Sequence, residues 1–168
     1  MTSRYAAAYK HWRDDPEGFW REAAAAIDWI RPPKRIFDAK AGVHGRWFPD
    51  ATCNTCRNAV DRHALDGHGA RAAIIYDSPV TGTRQTISYA VLLDEVSTLA
   101  AVLRRHGVGK GDRVLIYMPM TLEGVIAMQA CARIGVTHSV VFGGFSAKAL
   151  QERIIDAGAV AEIGRAHV

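Results

Sequence analysis

Gly143 and Gly144 follow an apolar run, Thr137 to Val141, and stand just before Ser146, a residue type that caps helices. A glycine pair at the carboxyl end of a strand and ahead of a helix can do binding chemistry. The bare backbone lets a ligand come close, and the helix N-terminus faces it with N–H groups and the positive end of its dipole. Two glycines alone are a weak motif, and a ligand contact and a plain turn both stay open on spacing. Gly107, Gly109 and Gly111 form a second glycine-rich stretch, but they come after a predicted helix and before a strand. Phosphate cradles need the opposite order, so these three are read as a connecting turn.

The remaining chemistry-bearing residues lack partners at useful spacings. Cys53 and Cys56 form a CxxC, half a zinc site or a redox pair in form, and Cys131 is the only other cysteine. A structural zinc needs four ligands, and a redox CxxC needs a strand before it and a helix opening at the first cysteine. Phe48-Pro49-Asp50 is instead a turn signal, so the CxxC is read as a chance spacing. His63, His68 and His138 have no neighbour at a catalytic or metal-ligand spacing, and Glu123 is explained by the dipole of a helix that starts there. No Ser-His-Asp, paired-carboxylate or HExxH pattern occurs. No catalytic residue and no metal ligand set is therefore assigned in this chain.

The elements that would position the glycine pair are legible from capping and periodicity. Pro79 to Thr83 is a turn between a strand at Arg71 to Tyr76 and a return strand at Gln85 to Ile87. Ser88 then caps a helix to His106, with Leu92, Val96, Leu99, Ala100 and Leu103 on its inner face and Gly107 at the C′ position. Val114 to Tyr117 reads as a strand, and Thr121 caps a helix to Ile134 that Gly135 closes. Thr137 to Val141 is the next strand, and Ser146 caps a third helix with Leu150 and Ile154 inward. Two apolar strands joined by a helix through short connections imply a βαβ crossover and a parallel sheet.

Residues 1–62 read as a preceding helical and extended segment. Asp15-Pro16 starts its helix, Phe19, Ala23, Ala26 and Ile27 share one face, and Arg31-Pro32-Pro33 ends it. Trp47-Phe48 is a large apolar anchor in a stretch without an evident core. Residues 63–161 carry the regular structure. Residues 162–168, Glu162 to Val168, break the pattern, since a further strand is due after Ala159-Val160-Ala161. They resemble one frame of a sequencing adapter and are read as a non-native tail, so the sheet is expected to stop before its next strand.

Composition narrows the function classes. The 168 residues suffice for one domain with a core, and 49% hydrophobic with 23% charged residues is ordinary for a globular protein. The net charge of +4 is spread along the chain, so no nucleic-acid partner is expected. No long apolar run spans a membrane, and the first residues lack a secretory layout, so the expected compartment is the cytoplasm.

Ordered motifs run along nearly the whole chain: Asp14-Pro16-Phe19-Trp20, Ile27-Asp28-Trp29, Arg46-Trp47-Phe48, Cys56 to His63, Gly111-Asp112-Arg113-Val114, Tyr117-Met118-Pro119-Met120, Ala130 to Gly135 and His138 to Ser146. Together they resemble the N-terminal quarter of the AMP-forming short-chain acyl-CoA synthetases, from about residue 4 to 158. Ile75 to Thr83 resembles the propionyl-CoA branch more than the acetyl-CoA branch. Arg57 departs from the usual Tyr or His, and Val136-Thr137 from the usual Ala-Val or Ala-Ile.

The resemblance implies an α/β fold, the N-terminal part of the large domain of an adenylate-forming enzyme preceded by a helical and extended segment. It implies a ligase joining propionate or acetate to CoA through an acyl-adenylate, with ATP, CoA and magnesium required by the full-length protein. The triphosphate loop, the adenine and ribose contacts of ATP and the C-terminal lysine of that family lie beyond residue 161, so the chain alone is expected to be inactive and to bind no cofactor tightly. Phe142, Gly143 and Gly144 are the residues that carry over, as the CoA-binding turn. The competing reading is a stand-alone CoA- or nucleotide-binding α/β module without catalysis.

Overall fold

A computed structural model describes residues 3–164. The chain divides into two compact units, one up to Asn54 and one from Thr55 onward.

The first unit begins with two helices, α1 (Arg4–Asp14) and α2 (Pro16–Ala24). Asp15 caps α2 as expected, its Oδ1 accepting the Gly18 N–H at 2.9 Å with Pro16 in the first turn. The helix is shorter than the apolar spacing suggests. Trp29 Nε1–H donates to the Ala24 carbonyl at 2.8 Å, and the chain leaves into strand β1 (Trp29–Arg31), so Ala26 and Ile27 lie past the helix end. Helix α1 has no counterpart in the sequence pattern because it buries no residue, so an apolar stripe is missing from it. β1 pairs antiparallel with β4 (Thr52–Cys53), and β2 (Phe37–Asp38) with β3 (Arg46–Trp47). Ala24 and Ile36 are buried, and Trp47 meets Phe37 at 4.6 Å and Trp20 at 5.6 Å between ring centroids.

The second unit opens with two π-helical turns, Arg57–Asp61 and Ala64–His68. Strands β5 (Ala72–Ser78) and β6 (Thr83–Ser88) form an antiparallel hairpin, and Ser88 caps α3 (Tyr89–Arg105) by accepting the Val91 N–H. Leu92, Val96, Ala100 and Leu103 of α3 are buried, as the 3.6-residue period requires. Strand β7 (Arg113–Met118), helix α4 (Leu122–Ile134) and strand β8 (Thr137–Phe142) make the βαβ unit, with β7 and β8 parallel and Val114 opposite His138. Gly135 ends α4 at φ 75°, a left-handed conformation that disfavours a side chain. Helix α5 (Ala147–Ala157) follows, with Ser146 as cap.

The expected end of the sheet is corrected. Ala161–Gly164 form strand β9, parallel to β7 on the side away from β8, with Ile116 opposite Ile163. The Arg113 side chain explains how the chain is brought back. Its Nε donates to the Ala157 carbonyl at 3.0 Å and its Nη2 to the Gly158 carbonyl at 2.9 Å, neutralising the negative end of α5, and the Val160 N–H donates to the Arg113 carbonyl at 2.9 Å. Glu162, Ile163 and Gly164, grouped with the tail on sequence, are thus in the sheet. Arg165 to Val168 lie outside the described residues. β7 is central in the order β8-β7-β9, and Val114, Leu115 and Ile116 are fully buried. A strand covered on both faces reads as a continuous apolar run rather than an alternating one.

Candidate functional site

The glycine pair sits where the strand-and-helix reading puts it, in the turn between the last residue of β8, Phe142, and the cap of α5, Ser146. Phe145 N–H donates to the Phe142 carbonyl at 3.2 Å, and Ser146 Oγ accepts the Ala149 N–H at 3.3 Å. Neither Gly143 nor Gly144 has a positive φ, so left-handed geometry is not why glycine stands here. Close approach is the reason. A Cβ on Gly143 would lie 3.1 Å from the Pro119 nitrogen, and one on Gly144 3.0 Å from the Phe142 ring.

Two aromatic side chains stand exposed at the turn. Phe142 is 60% exposed and stands beside bare backbone. Phe145 is also exposed, with the Arg153 guanidinium 4.6 Å above its ring centroid. The turn is held from below by Tyr117, which the sequence reading of the site passes over. Its hydroxyl donates to the Phe145 carbonyl at 2.7 Å and lies 3.2 Å from the Gly143 carbonyl. Within the same unit a cavity of about 690 Å³ lies at the carboxyl end of β7, lined by Met118, Pro119, Glu123 and the hairpin residues Tyr76 and Gln85. Thr121, at the start of α4 beside it, makes no side-chain capping bond, contrary to expectation, because its Oγ1 points toward Met118 Sδ at 3.9 Å.

The other singled-out residues do not assemble into a site. Gly107 and Gly111 take φ of 83° and 95° in the α3–β7 connection, which Asp112 ties by accepting the Gly109 N–H at 2.8 Å. They serve the turn. The His63 ring packs on Tyr89 at 4.9 Å. Among the described residues no group of three or more His, Cys, Asp or Glu could hold a metal ion.

All three cysteines are free, with Cys53 exposed and Cys56 and Cys131 buried. Cys56 instead joins an ionic contact that pins the first π-helical turn to α4. Arg133 Nη1 donates to Asp61 Oδ1 at 2.6 Å and reaches Cys56 Sγ at 3.8 Å. Burial works against the Arg133 charge, and the bonds to Asp61 and Cys56 more than offset it, so its pKa is raised. Burial pushes the Cys56 thiol up, and pushes Cys131 up to about 11. Two results are expected. At pH 8 a thiol reagent should modify one cysteine rapidly in the folded chain, Cys53, and three in denaturant; fast labelling of two or three in the fold would contradict the burial. Stability should also fall as pH rises from about 9 toward 11, because the unfolded chain then loses Cys131's proton while the folded one keeps it, and a flat denaturation midpoint across that window would count against it.

The family described as AMP-binding enzyme matches residues 60–167, and the family described as acetyl-coenzyme A synthetase N-terminus matches residues 5–59. The chain belongs to the AMP-binding enzyme family. An acetyl-coenzyme A synthetase of Burkholderia lata is 48% identical over 160 residues, covering 95% of this chain and 24% of that protein. The human mitochondrial acyl-CoA synthetase short-chain family member 3 is 51% identical over 140 residues, covering 83% of this chain and 20% of that protein. Among solved structures, an acetoacetyl-CoA synthetase from Streptomyces lividans matches with a TM-score of 0.86 and 27% identity, covering 97% of this chain and 25% of that one. The chain therefore spans about a quarter of the length of these members of its family. Its α/β architecture, with a segment ahead of the AMP-binding region, is theirs.

Proposed function

We propose that this chain is the opening part of an AMP-forming acyl-CoA synthetase acting on propionate or acetate, with Phe142, Gly143 and Gly144 forming the surface that takes the adenine of CoA. One observation carries the reading: two family matches meet end to end at residues 59 and 60, in the order of a synthetase N-terminus followed by an AMP-binding region. In the proposed reaction a carboxylate oxygen attacks the α-phosphorus of ATP and pyrophosphate leaves. The CoA thiolate then attacks the acyl carbon and AMP leaves. Magnesium would neutralise charge on the triphosphate. The described residues contribute binding and orientation rather than bond making: an aromatic face, a bare turn and the N-terminus of α5. A cytoplasmic setting belongs to the same reading.

The propionate branch is favoured by the Ile75 to Thr83 hairpin, whose residues resemble that branch. AMP release coupled to propionate, acetate, ATP and CoA tests the proposal. The 168-residue chain should give no turnover above background, while a full-length protein carrying it should form acyl-CoA, faster from propionate. Turnover by the chain alone would remove the claim of inactivity. A full-length protein without acid-dependent pyrophosphate exchange would remove the ligase reading.

A further inference from the structure

Tyr117 lies on the central strand, and its ring carries the hydroxyl across to the turn that follows the neighbouring strand β8. The hydroxyl has one proton. It goes to the Phe145 carbonyl at 2.7 Å, with the Gly143 carbonyl sharing it at 3.2 Å. Those two carbonyls bracket Gly144, so one hydroxyl fixes both ends of the exposed part of the turn. Gly143 completes the arrangement from the other side. Its missing side chain lets the turn rest against the Met118–Pro119 backbone, where a Cβ would come within 3.1 Å of the Pro119 nitrogen and 3.3 Å of the Met118 carbonyl carbon. The end of β7 therefore supplies both a hydrogen-bond anchor and a steric floor for the turn.

We infer that Tyr117 is a positioning residue for CoA: it preorganises the Phe142–Phe145 turn so that the Phe142 ring and the Gly144 backbone stand ready for the nucleotide, without touching it. This rests on the proposed CoA reading of the turn. Preorganisation matters because a turn that must be ordered on binding loses that ordering free energy from the affinity. Adenylate formation involves no CoA, so it should be indifferent to Tyr117, whereas a residue needed only for folding would affect both half-reactions.

Two measurements on Tyr117→Phe test this. In the 168-residue chain, amide exchange at Phe145, whose N–H closes the turn, should speed up about fivefold, with Leu115 and Ile116 amides in the central strand unchanged. In the full-length enzyme the KM for CoA should rise about fivefold, with acid-dependent pyrophosphate exchange at the wild-type rate, since losing one hydrogen bond is worth about that factor. Unchanged exchange at Phe145, an unchanged KM for CoA, or equal loss in the two half-reactions would each overturn the inference. A wild-type enzyme with no acid-dependent pyrophosphate exchange would instead sink the ligase reading, and the inference with it as far as CoA is concerned, while faster Phe145 exchange would still report the anchor.

Discussion

Replacing Leu115 with alanine is expected to destabilise the chain by about 3 kcal/mol, read as a shift in the denaturant midpoint at constant m-value. Leu115 is fully buried in the central strand, which is hydrogen-bonded to β8 on one side and β9 on the other. Side chains of β7 alternate between faces, so Arg113, Leu115 and Tyr117 share one face while Val114 belongs to the core cluster that α3 and α4 build on the other. The hydrogen-bonded strand between two neighbours cannot move in to fill the space left by the lost carbons, which is why the cavity persists. Leu115→Met, which keeps the volume, should lose less than about 1.5 kcal/mol. A loss below about 1 kcal/mol for the alanine variant would mean that this face is not packed as described.

Asp61→Asn is expected to weaken the fold by about 2 kcal/mol, because the ion pair with Arg133 at 2.6 Å is reduced to a hydrogen bond from the guanidinium to a neutral amide. The exposures of the two side chains, 14% for Asp61 and 28% for Arg133, put the pair between a solvated surface bridge and a buried one, and the magnitude is set between those cases accordingly. Cys56 provides a local readout, since its thiol is buried against the same two groups. If the ion pair holds the π-helical turn on α4, labelling of Cys56 should accelerate about thirtyfold in the variant. A double-mutant cycle with Arg133→Ala should return a coupling above about 1 kcal/mol. Coupling near zero would reduce the contact to an incidental one.

Much of the fold could be read from residues whose effects are local. Asp15, Ser88 and Ser146 announce helix starts because each side chain bonds a backbone N–H three residues on. Gly107 and Gly135 announce helix ends because only glycine takes a left-handed φ without strain. The period of Leu92, Val96, Ala100 and Leu103, and the apolar run of β7, follow from which faces are covered. The placement of the Gly143-Gly144 turn between a strand and a helix came from the same signals. So did the family resemblance, through motifs whose residues stay together in the chain.

What the sequence left open depends on residues far apart in it. Helix α1 has no buried face, so no period betrays it. β9 carries little signal in its own four residues. It exists because Arg113 grips the end of α5 across 44 and 45 positions and because β7 offers a free edge to pair with. Asp61 and Arg133 are separated by 72 positions, and their pairing is a product of how the π-helical turn lies on α4. Tyr117 is the sharpest case. In the sequence it is one more apolar strand residue, and only the parallel pairing of β7 with β8, which sets the turn above the end of β7, brings its hydroxyl to the carbonyls of Gly143 and Phe145. Helix caps and periodic faces are decided within a few residues, so the chain states them outright; contacts that require two elements to be packed first are decided by tertiary structure alone.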